Sequence, residues 1–309
     1  MGKGGPRAHL RDQEAQSHPL RRAAALLASI ALSGSACSSS PAALDAALGD
    51  DAAPAIDAAI DAPRGTVCAG QPLCETFEAM PVGTLANNAN IGGFRADVQT
   101  GGALAIDTTR AYSGTHALKA HIDGGGMGGG RLWAHNGALF APTRRHLYGR
   151  FMMWSEREAN SIHWTLFGAS GVVPAPSPAA GHTATYLFSA ADDKKFMAVF
   201  YDNQTQQDCW HHSQQLVPVA APTDHWTCVA FEADADAIHY RMSLDGTPVT
   251  SFSVNTTGDG CLAVPGTTPW YGPSFDQFYL GAMSFHPMSG PLDVWFDDLV
   301  VDTAPVACP

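Results

Sequence analysis

Five side chains able to grip a carboxylate or carry a proton stand in short alternating runs of this sequence: Arg150, His163, Tyr201, Gln277 and Tyr279. An arginine or an amide can neutralise a carboxylate, and a histidine or tyrosine can remove a proton or return one. Alternation assigns their faces. Leu147, Phe151 and Met153 oppose Tyr148, Arg150 and Trp154; Ile162, Trp164 and Leu166 oppose His163 and Thr165; Phe278 and Leu280 oppose Gln277 and Tyr279. Strands with one apolar and one polar face bury the first and turn the second to solvent or to a groove. Set side by side, these strands would line a groove with Arg, His, Gln and Tyr. A plain solvated sheet face gives the same alternation. Each residue also has a blander reading: a histidine hydrogen-bonded in place, a tyrosine serving as an amphipathic platform, an arginine paired with an acid. His211 and His212, after Cys209 and Trp210, are weak metal ligands by spacing, since no H-E-x-x-H run occurs. There is no G-x-S-x-G nucleophile turn and no P-loop.

The elements that must carry these residues read as strands. Apolar or alternating runs at 103–107, 117–122, 147–154, 162–167, 185–188, 196–201, 226–232, 238–244, 275–280 and 294–301 are separated by turn signals such as Asp245-Gly246. Ten or more strands with few helix candidates predict an all-β, two-sheet sandwich or jelly roll. Asp245-Gly246 between 238–244 and 247–254 predicts a hairpin. The glycine run 124–130 reads as a flexible loop at a sheet edge, and the proline-rich stretch 172–180 as a long loop at a sheet margin.

The chain of 309 residues has a net charge of −12, which excludes a general phosphate-binding surface and makes nucleic acid an unexpected partner. Residues 1–22 carry Lys3, Arg7, Arg11, Arg21 and Arg22, and an apolar run over 23–36 follows, shorter than a membrane span needs. This describes an export signal over 1–36. The run Leu32-Ser33-Gly34-Ser35-Ala36-Cys37 resembles a bacterial lipoprotein signal, which implies a lipid on Cys37 and an outer-membrane or cell-surface location; a secreted protein with an ordinary cleaved signal is the alternative. Residues 37–66 read as an Ala/Asp-rich flexible tether, leaving 67–309 as the folded domain. The six further cysteines, Cys68, Cys74, Cys209, Cys228, Cys261 and Cys308, predict disulfides in an exported chain. The favoured pairing joins Cys68 or Cys74 to Cys308, tying the first strand to the last.

Four segments carry a resemblance to a known family: Leu147-Tyr148-Gly149-Arg150-Phe151, Ser161-Ile162-His163-Trp164-Thr165-Leu166-Phe167, His225-Trp226-Thr227-Cys228 with Asp245-Gly246 downstream, and Trp295-Phe296-Asp297-Asp298-Leu299-Val300-Val301. Phe77-Glu78 and Ser113-Gly114-Thr115-His116-Ala117-Leu118 fit the same layout. In order and combination these segments resemble secreted jelly-roll proteins with a polysaccharide-lyase-like core: the fungal cellulose-induced protein, its bacterial relatives and, more distantly, the glucuronan lyases. The resemblance implies a concanavalin A-like sandwich with a concave groove for a uronic-acid polysaccharide. It implies β-elimination, with Arg150 and Gln277 on the substrate carboxylate, His163 as base, and Tyr279 or Tyr201 as acid or shared acid and base. It also implies a structural Ca2+ held by Glu78 (or Glu75), Asp297 (or Asp298) and carbonyls around Ser113. A non-catalytic carbohydrate-binding jelly roll on the same fold is the alternative. The E-x-D-x-x-E run of laminarinase-type jelly rolls is absent.

Overall fold

A computed structural model describes residues 68, 70–135, 137–141, 143–158, 163–190, 196–212, 221–249, 258–262 and 270–309. The expected signal, the lipidation residue Cys37 and the tether fall outside the described residues. The described chain is all strand and loop, with strands β1 to β18 numbered in chain order.

The strands form two antiparallel sheets, a jelly-roll sandwich. The first sheet runs β15 (Thr247–Pro248), β14 (His239–Leu244), β13 (Thr227–Asp234), β8 (His146–Ser155), β18 (Leu292–Asp302), β6 (Ala117–Ile122), β5 (Gly102–Asp107) and β2 (Gly83–Thr84), with β1 (Leu73–Glu75) also on β18. The second runs β16 (Gly260–Cys261), β12 (Gln207–His212), β11 (Phe196–Asp202), β10 (Thr183–Ala190), β9 (Trp164–Val172), β17 (Ser274–Ser284), β7 (Gly128–Ala134), β4 (Phe94–Val98) and β3 (Asn90–Ile91).

The period-2 pattern fixes which side of each strand enters the core. Leu147, Phe151 and Met153 of β8, with Val229 and Phe231 of β13, face Phe167, Phe188 and Phe278 of the second sheet, and all are buried. The aromatic rings lock together: Phe167 stacks on Phe188 at 4.3 Å and meets Phe151 edge-on at 5.1 Å. Asp245 and Gly246 both take positive φ, 47° and 75°, as the hairpin turn between β14 and β15 requires.

The glycine run departs from expectation. Gly128, Gly129 and Gly130 are not loop: they open β7, inside the second sheet between β4 and β17, and are buried. A Cβ on Gly130 would lie 2.3 Å from Leu104 Cγ of the facing sheet, so bare backbone is what lets the two layers close here.

The disulfides also differ. Cys68 joins Cys74, Cys209 joins Cys261, and Cys308 joins Cys228 rather than either of the first two. Cys74 does lie beside the last strand, opposite Val300. The chain then continues past β18, and its tail returns over the outer face of the first sheet to β13, where Cys228 stands.

One irregularity shapes the site. Leu166 of β9 has no partner in either neighbouring ladder: both registers step from Phe167 to Thr165. Such a bulge bends a strand and increases its twist. β17 skips as well, between Phe275 and Gln277 and between Leu280 and Met283. These irregularities fall in adjacent central strands of the second sheet.

Candidate functional site

The face of the second sheet turned away from the core forms a groove of about 550 Å³. Its floor is built in cross-strand rows. In an antiparallel ladder, directly opposed residues share a face with their Cβ atoms about 5 Å apart. One row reads Gln277, Ser170, Thr185, Tyr201, Asp208 across β17, β9, β10, β11 and β12. The next reads Arg95, Trp133, Tyr279, Gly168, Leu187, Val199, Trp210 across β4, β7, β17, β9, β10, β11 and β12. The first row is polar throughout, and the second is mostly aromatic and aliphatic behind an arginine.

The polar row is partly tied together. Ser170 Oγ lies 3.0 Å from Thr185 Oγ1, and the Tyr201 hydroxyl donates to Gln206 Oε1 at 2.8 Å. Across the groove, Arg131 donates to Asp97 Oδ2 at 2.6 Å, with its guanidinium 5.1 Å from the Trp133 ring and 4.9 Å from the Tyr279 ring. Burial pushes the Asp208 carboxyl up to about 6. At one end, His163 Nε2 lies 3.3 Å from Ser189 Oγ, and the imidazole is 5.0 Å from the Phe285 ring. Beyond Asp208 the groove continues into an apolar recess of about 320 Å³ lined by Met197, Val199, Trp210 and Leu262.

Of the five expected site residues, His163, Tyr201 and Gln277 line the groove. Tyr279 belongs to the same face but is fully buried, as floor beneath Trp133 and Arg131. Gly168 makes room for its ring: a Cβ there would come within 2.6 Å of it.

Arg150 is not in the groove. Alternation assigned its face correctly, but the polar face of β8 is the outer side of the opposite sheet. There Arg150 is buried, and its Nη1 donates to the Asp298 carbonyl at 3.4 Å. The groove's cations are instead Arg95 and Arg131. The runs holding Arg95, Arg131 and Trp133 are strands beyond the ten that the apolar pattern predicts, although Arg131, Leu132, Trp133 and Ala134 alternate cleanly after the glycines. Asp208 and Trp210 flank the buried Cys209, and that alternation was equally available.

The residues expected at a metal gather around the turn at 112–116. Asp297 Oδ2 accepts the backbone N–H groups of Tyr112 (2.8 Å) and Ser113 (3.0 Å), and Ser113 Oγ donates to Asp298 Oδ1 at 2.8 Å. Glu78 Oε1 accepts from the N–H groups of Thr115 (2.6 Å) and His116 (2.7 Å). Two consecutive acids can serve one turn because β18 breaks register between Asp297 and Val300, with Asp298 at φ 47°. Both acids are buried. Burial first, then the neighbouring Asp298 charge, pushes Asp297 up to about 8.

No protein-family profile matches the chain, and no curated protein does. Among solved structures, the cellulose induced protein Cip1 is 16% identical, with a TM-score of 0.49 over 77% of this chain and 100% of that one. The alginate lyase vAL-1 from Chlorella virus is 11% identical, with a TM-score of 0.47 over 69% of this chain and 94% of that one. A botulinum neurotoxin type C structure is 10% identical, with a TM-score of 0.40 over 74% of this chain and 48% of that one.

Proposed function

We propose that the concave groove binds a uronic-acid-containing polysaccharide laid across several strands, and that it does so without cleaving it. The observation carrying this reading is the unbroken polar row from Gln277 to Asp208, bordered by Trp133 and Arg131. Neutral hydroxyls and amides suit sugar hydroxyls, and an aromatic face suits the apolar face of a sugar ring. Arg95 and Arg131 supply positive charge for carboxylates, and burial, which pushes Asp208 up to about 6, keeps it neutral below that pH.

Spacing argues against cleavage. β-Elimination needs the group that neutralises the carboxylate, the base and the acid all within reach of one sugar residue. Gln277 and Tyr201 stand three strands apart, about 14 Å between backbones. Ser189, beside His163, lies four residues along β10 from Thr185 of the polar row, about 13 Å. Backbones this far apart suit contacts distributed along a polymer. The second reading, a lyase using Tyr201 as shared acid and base with Gln277 on the carboxylate, is favoured by the presence of both in one row of the groove.

Incubating the purified protein with a panel of uronans separates the two. The expected result is saturable binding with no gain in ultraviolet absorbance from an unsaturated product. Accumulating product would replace the binding reading with the lyase. Failure to bind any uronan would remove both.

We further infer that Glu78, Ser113, Asp297 and Asp298 hold Ca2+, which fastens the first strands to the last. Carboxylate and hydroxyl oxygens suit a hard cation. Two adjacent buried carboxylates, of which Asp298 alone feels the Arg150 guanidinium, are chemistry that such an ion would balance. Removing it with a chelator is expected to lower the Tm by roughly 5 °C or more, and an unchanged melt would refute the site. Lipidation of Cys37 would hold the domain at a membrane surface, and Cys37→Ala is then expected to leave the membrane fraction. The three disulfides fit an exported protein.

A further inference from the structure

Away from the groove, on the outer face of the first sheet, two cross-strand rows lie side by side. His146 of β8, Asp234 of β13 and His239 of β14 are directly opposed, and so are Tyr148, Glu232 and Arg241 in the adjacent row. Opposed residues share a face, so both histidines flank Asp234 with Glu232 next to it. One donor atom from each of His146, Glu232 and Asp234 lies within 4.8 Å of the others.

Each carboxylate is anchored through one oxygen and turns the second toward His146, Glu232 at Nε2 and Asp234 on the Nδ1 side of the ring. Glu232 Oε2 accepts from Arg241 Nη1 at 3.0 Å, while Oε1 lies 2.8 Å from His146 Nε2. Asp234 Oδ1 accepts the backbone N–H groups of Asp236 (2.9 Å) and Ala237 (3.0 Å), while Oδ2 lies 4.0 Å from His146 Nδ1. The imidazole of His146 is itself held by stacking on Tyr148 at 4.5 Å and 25°. His239 Nε2 is buried and makes no hydrogen bond among the described residues. Supporting contacts that orient first-coordination groups are what working metal sites have in addition to their ligands.

We propose that His146, Glu232 and Asp234, with His239 beside them, form a zinc-type transition-metal site on the outer sheet. One or two imidazoles with two carboxylates match zinc's preference for mixed nitrogen and oxygen donors, unlike the all-oxygen set around the turn at 112–116. The ion takes the place of the contact between His146 Nε2 and Glu232 Oε1. Tetrahedral ligands at zinc distances sit about 3.3 Å apart, so the 2.8 Å contact opens by about half an ångström and Asp234 Oδ2, now 4.0 Å from Nδ1, swings toward the Nε2 side. The site does not depend on the groove reading.

The test is titration of the full-length, disulfide-bonded protein with Zn2+ in excess Ca2+, following heat and stoichiometry, with Co2+ absorption as a second readout. His146→Ala is expected to lose one bound ion per chain, and so is the milder Glu232→Gln. His211→Ala is expected to keep it, and Tyr148→Leu to weaken binding roughly tenfold. Near-UV circular dichroism confirms that each variant keeps its fold. If the wild-type protein binds no Zn2+, or if His146→Ala and Glu232→Gln bind as many ions as wild type, the site does not exist.

Discussion

Asp97 restrains Arg131. Their 2.6 Å contact spends on an internal partner a guanidinium that lines the groove. Asp97→Asn is therefore expected to tighten binding of an anionic polymer by roughly two- to fivefold, the worth of one partly exposed pair, and the gain should fade in high salt. Calorimetry at two ionic strengths checks both parts. Asp208 gives a pH signature. Its carboxyl is held near 6 by burial, so it is neutral below that pH and charged above it. Affinity for an acidic ligand should fall as pH rises through about 6, and Asp208→Asn should flatten that step. The same sign holds for stability: a carboxyl whose folded pKa is raised above the unfolded value of about 3.9 favours the folded state in acid and loses that contribution between about 4 and 6.

At the scale of the strand, alternation told inside from outside but not which sheet a strand would join. The strands carrying Arg150 and Gln277 are each apolar on one side and polar on the other, as their alternation predicts. Sheet membership is decided by pairing across long sequence separations, which no local period encodes. That is why Arg150 came out on the wrong side of the molecule. All ten expected strand runs have a counterpart in the fold, with boundaries moved by a few residues. β7 was hidden because three glycines read as loop when their purpose is close packing. β9 shows a further limit: the bulge at Leu166 changes which parity faces the groove, so His163 and Ser170 share a face against simple alternation. Gly168 on this strand yields a prediction. A methyl group there would meet the Tyr186 carbonyl oxygen at 2.5 Å and the Tyr279 ring at 2.6 Å. Gly168→Ala should cost about 1–3 kcal/mol through overpacking and disturb the groove floor, measurable as a lower denaturation midpoint together with weaker ligand binding.

For the whole molecule, the even cysteine count correctly signalled disulfides, while the pairing stayed illegible because it depends on the path of the tail after β18. The bond from Cys228 to Cys308 closes a loop of 80 residues. Cys228→Ser with Cys308→Ser should lower stability by about 2–4 kcal/mol, seen as a Tm drop of roughly 5–15 °C. The same bond governs how the protein would behave under tension. Pulled by its two ends, the chain reaches its last residue by jumping across the sulfur bridge from Cys228, so the stretch from 229 to 307 is bypassed. β17 and β18 lie within that bypassed stretch. A force spectroscopist stretching the oxidised molecule should record a contour length shorter by that segment, and reduction should restore it.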